Sequence, residues 1–295
     1  MPELDSMLAF VAGQGDSMPP SDAHIHISDT MDASGQFVLL HYALTALQRG
    51  ASVVWLCASA NGLTHLAHIA RKAVRFLYSD RQGVNLSSSH KFSYLDAHAY
   101  MNEPSFLPAL LSQLRRAIPE TGIAHEIAQT LVIVDDLSVL QWCIPGSVAE
   151  SHSHIVQWLR ALRQTCGLRS AALATLQHSD ACAVVSPNGT LDQGDERLFR
   201  YLLQTADLWV AINELPSGRA ADCDGEVAVH ALARPSIATT CMAEAPSPLT
   251  SFVLDRYMPS SEKCLYRILP EGTGPKQDNG TRLIARVWSR GGGLV

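Results

Sequence analysis

The sequence predicts a three-layer α/β domain whose central sheet is mixed, mostly parallel, and finishes in antiparallel hairpins. Three observations carry this. Strand-like and helix-like segments alternate from residue 23 to residue 212. Two of the strand segments, 52–57 and 131–134, are near-continuous apolar runs, as strands buried on both faces are. Beyond residue 212 the chain changes to strand-like segments without helices between them.

Residues 1–22 mix a short apolar stretch with Gly, Ser and Pro, including Pro19-Pro20. They read as an N-terminal arm that packs on the body or on a neighbour. Ala23-His24-Ile25-His26-Ile27-Ser28 alternates apolar and polar, a half-buried strand. Residues 29–35 are small and polar, a loop. From Gln36 the period becomes helical, with Phe37, Leu40, Leu44 and Leu47 on one face and Gly50 as the stop. The strand 52–57 then completes a βαβ unit, so its two strands should be parallel. Helices follow at 63–76, 105–118 (basic at its end, Arg115-Arg116), 148–166 and 197–203. Strands fall at 92–97, 131–134, 171–176 and 208–212, then at 226–232, 264–269 and 283–287. Stretches 178–196, 215–225, 235–250 and 270–281 are rich in Gly, Pro, Asp, Ser or Thr and read as long loops. The organisation expected is an arm over 1–22, one domain over 23–290 and a tail over 291–295.

Composition excludes several classes. Hydrophobic residues make up 47% and charged residues 17% of the 295, too apolar for a disordered chain. Charge lies below the roughly 25% of an average domain, which hints at surface buried against other chains. A net charge of -6 rules out a chain that coats nucleic acid by itself, so any polyanion contact needs a local basic patch or a partner. Seven cysteines, odd in number and never in a C-x-x-C pair, form neither a disulfide framework nor a zinc ribbon and fit a reducing compartment. Glu3 and Asp5 replace the basic n-region of a secretory signal, so none is expected. No apolar run approaches the roughly 20 residues of a membrane-spanning helix.

In a parallel sheet, chemistry gathers at the carboxyl ends of the strands. Two places match a nucleotide-binding layout: the loop after the first strand, and Asp135-Asp136 closing the 131–134 strand. The first fails the test. A P-loop reads G-x-x-x-x-G-K-[ST], its backbone N–H groups cradling phosphate, its Lys neutralising it and its hydroxyl holding magnesium. Here the segment is Thr30-Met31-Asp32-Ala33-Ser34-Gly35-Gln36-Phe37. Only the second glycine, Gly35, survives. Gln36 replaces the cation and Phe37 the hydroxyl, while Asp29 and Asp32 bring carboxylates into the loop. At an effective dielectric of about 20, one unit charge about 4 Å away is worth roughly 4 kcal/mol, so triphosphate binding should weaken by orders of magnitude. Asp135 stands where a magnesium-side aspartate would and Asp136 where a water-polarising group would. With no P-loop opposite, both read better as strand-end caps that accept from loop N–H groups.

Other constellations are weaker. His24-Ile25-His26 puts two imidazoles on one strand face, and His152-Ser153-His154 resembles it, but neither pair has the third ligand that zinc needs. His65 and His68 lie one turn apart without a metalloprotease glutamate. No G-x-S-x-G elbow is present, and no cysteine has a basic neighbour pattern that singles it out as a nucleophile. No metal and no cofactor is expected. Arg71, Lys72 and Arg75 place charge on the 63–76 helix, and Arg282, Arg286 and Arg290 recur every four residues near the C-terminus. Each group is a solvated face or a contact for a partner or a nucleic-acid backbone.

The runs Gly35-Gln36-Phe37-Val38-Leu39-Leu40-His41-Tyr42 and Ala51-Ser52-Val53-Val54-Trp55-Leu56 resemble the opening βαβ of the family of sixth subunits of the Elongator complex. Val134-Asp135-Asp136-Leu137-Ser138-Val139-Leu140 is the most specific match. The stretch 171–234, with His178-Ser179-Asp180 and Ala233-Arg234-Pro235, is similar too, as are the late strands around Tyr266 and Val287. The resemblance spans about residues 20–290 and departs in loop lengths at 178–196 and 270–281. It implies a RecA-like ATPase fold without working Walker motifs, in agreement with the failed P-loop. It implies a hetero-hexameric ring, two copies each with the fourth and fifth Elongator subunits. That ring binds tRNA, docks on the catalytic subcomplex and supports carboxymethyl-type modification of wobble uridine. It places the chain in the cytoplasm, with the nucleus as a second compartment, and away from membranes. The loops at 138–154 and 177–194 would face the ring's opening, and neither is basic. Two alternatives stay open: an ATPase with an unorthodox phosphate site, and a RecA paralogue of the recombination type.

Overall fold

The computed structural model describes residues 7–10, 18–59, 62–64, 66, 90–103, 105–120, 127–183, 193–215, 223–232, 234–235, 252–253, 259 and 262–266. Strand β1 (His24–Asp29) leads into helix α1 (Gln36–Gln48), β2 (Ser52–Cys57), β3 (Phe92–Asp96), α2 (Phe106–Ala117) and β4 (Thr130–Asp135). Then come α3 (Leu137–Trp142), α4 (Val148–Leu168), β5 (Ala171–His178), α5 (Gln193–Thr205), β6 (Leu208–Asn213) and β7 (Gly225–Ala231). A short pair, β8 (Arg234–Pro235) and β9 (Phe252–Val253), precedes β10 (Glu262–Tyr266).

Among the described residues, eight strands form one sheet in the order β10-β7-β6-β1-β5-β4-β2-β3. From β6 to β3 every pairing is parallel, whereas β6–β7 and β7–β10 are antiparallel. The predicted class is therefore the observed one. The opening βαβ unit is parallel as expected, but its strands are not neighbours, because β5 and β4 lie between β1 and β2.

The pleat sorts side chains to two cores. Ile25, Ile27, Val53, Trp55, Leu131, Ile133, Ala172 and Ala174 join α1 in one core. Val54, Leu56, Val132, Val134 and Leu173 join α2, α3, α4 and α5 in the other. The sheet thus has α1 on one face and the later helices on the other. Met7, Leu8, Phe10 and Met18 are buried against the α1 core, and Pro20 bridges to Ile127, so the described part of the arm packs on the body.

Helix ends follow from sequence. Gly50, at φ 77°, follows the last turn of α1, a conformation that a side chain would strain. Ser147 and Glu150 form a reciprocal capping box at the start of α4.

Three expectations about boundaries need correction. Residues 138–154 are not a loop: α3 and the first turns of α4 occupy most of it. The loop assigned to 178–196 gives way to α5 at Gln193, four residues ahead of the expected helix start, because Asp195 and Glu196 suit a helix's first turn. The 226–232 and 264–269 strands begin one or two residues earlier, at Gly225 and Glu262. The expected strand at 283–287 lies outside the described residues, as does the 63–76 helix beyond Leu66.

Candidate functional site

Parallel strands end together, so the sheet itself assembles the site. The register pairs Asp29 with His178 across β1 and β5, and Cys57 with Asp135 across β2 and β4. By the pleat, these four end residues share the parity of the α1 core: 25-27-29, 174-176-178, 131-133-135 and 53-55-57. In spatial order they form the row Asp29, His178, Asp135, Cys57, and α1 begins above them.

At one end of this row a polar lattice joins Asp29 and His178 to Asp136, and at the other Asp135 joins Gln36 and Cys57. The Gly35 N–H donates to Asp29 Oδ2 at 2.8 Å. His178 Nδ1 lies 2.7 Å from Asp29 Oδ1, and its Nε2 lies 3.2 Å from Asp136 Oδ2. Asp136 Oδ1 accepts from the Val139 N–H at 3.0 Å, capping α3. Asp136 holds a left-handed backbone at φ 72°, which Asp tolerates better than most residues. The His178 N–H donates to Ser138 Oγ at 3.0 Å, which ties β5 to the same helix start.

Charge follows this geometry. The two carboxylates beside His178, Asp136 first and then Asp29, raise its pKa to about 10, so the ring is an imidazolium at neutral pH. Burial pushes the Asp29 carboxyl up, and its bonds to His178 and Gly35 oppose that. Asp135 is pushed up to about 6, by burial above all, while the Gln36 amide 3.2 Å away opposes the rise. Burial likewise raises the Cys57 thiol, whose Sγ lies 3.9 Å from Asp135 Oδ2.

The loop over 30–37 spends its donors internally. The Met31 N–H donates to Asp180 Oδ2 at 2.9 Å, and the Ala33 N–H to the Thr30 hydroxyl at 3.1 Å. Thr30 Oγ1 in turn donates to Glu214 Oε1 at 3.2 Å. Gly35 keeps the close approach that a P-loop glycine has: a Cβ there would lie 2.9 Å from Ile27 Cγ2. Phe37 stands where a magnesium-binding hydroxyl would and packs on Tyr266, ring centroids 5.0 Å apart. It fastens the start of α1 to β10. Asp32 stays exposed.

Of the residues singled out in sequence, Gln36 meets Asp135 directly and Gly35 connects to Asp136 through Asp29 and His178, whereas Thr30 turns to Ala33 and Glu214. The roles of the acidic pair divide. Asp136 is a cap as expected, but of a helix, and Asp135 accepts from the Gln36 side chain instead of a loop N–H. His24 and His26 share one hydroxyl, Thr175 Oγ1, at 3.0 and 3.4 Å, and both are buried. His152 and His154 sit on helix α4, two residues apart, so they diverge instead of sharing a strand face. Among the described residues no group of three or more His, Cys, Asp or Glu is placed to hold a metal. Arg71, Lys72, Arg75, Arg282, Arg286 and Arg290 lie outside the described residues, as do His65 and His68. His178 as the bridge between Asp29 and Asp136 was not visible in sequence. Its only signal is its place at the end of a strand whose neighbour ends in Asp29, and that needs the strand order.

No family model matches the chain, and no curated protein matches it. Among solved structures the chain is similar to the flagellar accessory protein FlaH of Methanocaldococcus jannaschii, with a TM-score of 0.51 and 12% identity. The match covers 95% of this chain and 94% of that one. The fold that this chain shares with it is RecA-like. At that identity the likeness extends to the fold alone.

Proposed function

We propose that this chain is a non-catalytic RecA-like subunit of an Elongator-type complex. In that reading it assembles with the fourth and fifth subunits into a hexameric ring, two copies of each. The ring binds tRNA and supports carboxymethyl-type modification of wobble uridine on the catalytic subcomplex. One observation carries the non-catalytic part: the Gly35 N–H, which in a P-loop would face phosphate, is held by the chain's own Asp29. Asp29 is in turn locked to His178, which also holds Asp136. A triphosphate would have to break this lattice and then meet Asp135 and the exposed Asp32 with no lysine to offset them. The Elongator part rests on the sequence strings around Gly35, Ala51 and Val134-Asp135-Asp136-Leu137-Ser138-Val139-Leu140. The exposed apolar side chains at the same end of the sheet suit a subunit interface. Met31 is 74% exposed, Trp142 55% and Val148 49%. The work of such a subunit is done at its sides, where it positions partners and shares in tRNA binding.

The test is co-expression with the fourth and fifth subunits, followed by native mass measurement. The expected result is one assembly with two copies of each, together with self-association of the chain when expressed alone. Recovery with recombination factors, or as a stable monomer that hydrolyses ATP, would overturn the proposal.

A further inference from the structure

At the opposite end of the sheet, charge and exposure are arranged differently. Helices α2, α4 and α5 each run back toward the start of the next strand, so their C-terminal turns gather at the amino ends of β4, β5 and β6. Arg115 and Arg116 close α2. Arg169 reaches across from the end of α4 to the Ile118 carbonyl at 2.6 Å. Between α4 and α5 runs an open groove of about 560 Å³, lined by Arg160, Arg163, Gln164, Leu168 and Tyr201 among others.

The parts of this groove are not equivalent. Arg163 is fixed: it donates to the Thr205 carbonyl at 2.6 Å, closing the end of α5. The exposed Arg160 lies over the Tyr201 ring, 5.6 Å from its centroid, which holds the long side chain flat along the groove wall. Arg160, Gln164 and Leu168 are spaced four apart on α4 and make one stripe. Leu168 is 77% exposed, the most exposed of the large apolar side chains described. Asp22 sits at one end against Gly167, where a Cβ would lie 3.0 Å from its carboxylate oxygen. The lining thus holds two guanidinium groups and one carboxylate.

We propose that this groove is a docking site for an acidic, leucine-bearing segment of a protein partner. An extended segment would set a carboxylate on Arg160, which is held in place by Tyr201 and needs little further ordering. An apolar side chain of the segment would cover Leu168. The exposed leucine favours a peptide over a nucleic acid, whose phosphate contacts would leave it in water. Arginine with tyrosine in a groove is also the composition found at the energetic centres of protein interfaces. The site lies at the far end of the sheet from the Asp29–His178 lattice, and the inference does not depend on the Elongator reading.

The test is fluorescence-anisotropy titration of the full purified chain with a short labelled peptide alternating glutamate and leucine. Single-stranded polyuridine is the comparison. The expected result is salt-sensitive peptide binding that weakens about tenfold or more in Arg160→Glu and severalfold in Leu168→Ser. Both positions are exposed, so both variants should keep the wild-type thermal midpoint, and this is checked alongside. Peptide binding that Arg160→Glu leaves unchanged would overturn the proposal. So would an absence of peptide binding, or polyuridine binding that Arg160→Glu abolishes.

Discussion

At the scale of single residues, His178 is the hinge of the account. It is the cation between Asp29 and Asp136, and removing it leaves two carboxylates facing each other across a largely dry gap. His178→Ala should destabilise the chain by about 2 kcal/mol in urea denaturation, below the range for a fully buried pair because the ring is 17% exposed. Its pH dependence has a definite sign. The folded-state pKa of His178 is raised, so its contribution is fully present below pH about 6.5 and is lost as pH rises toward about 10. The gap in urea midpoint between wild type and His178→Ala should therefore close between those values, and a gap that widens would contradict the assignment. His26 acts in the other direction. Burial holds its pKa down at about 3, so the folded chain keeps it neutral while the unfolded chain takes up a proton below about 6.5. One such histidine removes about 2 kcal/mol at pH 5, which acid unfolding of wild type against His26→Phe would measure. Gln36→Lys places a cation beside Asp135 and should lower that carboxyl from about 6. It should not create ATP binding, because Asp29 still holds the Gly35 N–H. Calorimetric titration of this variant with magnesium-ATP reads the outcome directly.

At the scale of elements, local signals were legible and partners across the sheet were not. The apolar runs of β2 and β4, the helical spacing of α1 with Gly50 after it, and the failed P-loop all follow from neighbours in the chain. The lattice joins positions about 150 residues apart, Asp29 and His178, and becomes readable only once β1 is known to lie between β5 and β6. The helix start at Gln193 was missed because Gly, Pro, Asp, Ser and Thr weigh toward loop when counted by composition, although Asp195 and Glu196 are acidic first-turn residues. α3 was missed because its six residues span fewer than two helical turns, too few for an apolar spacing to repeat. Its stability depends on its cap: Asp136→Ala removes both the Val139 N–H acceptor and one of the two carboxylates on His178. The expected loss is about 2 kcal/mol, larger than Ser147→Ala at the capping box of α4, where about 1 kcal/mol is typical. Equal losses in thermal or urea unfolding would mean that Asp136 is a cap and nothing more.

At the scale of the molecule, the two ends of the sheet divide the work. The carboxyl end carries a lattice in which the Met31 and Gly35 N–H groups are held by the chain's own Asp180 and Asp29, rimmed by exposed Met31, Trp142 and Val148. The amino end carries the arginines of the helix C-termini, favourably placed against the helix dipoles, and the groove between α4 and α5. A net charge of -6 hides this separation, and so sequence totals could exclude a uniformly basic surface but not a local one. The central claim is that the lattice closes the phosphate site. Calorimetric titration of magnesium-ATP into the purified wild-type chain tests it most directly. No binding heat is expected up to millimolar nucleotide, whereas micromolar binding that disappears in Asp135→Ala would show the site to be open.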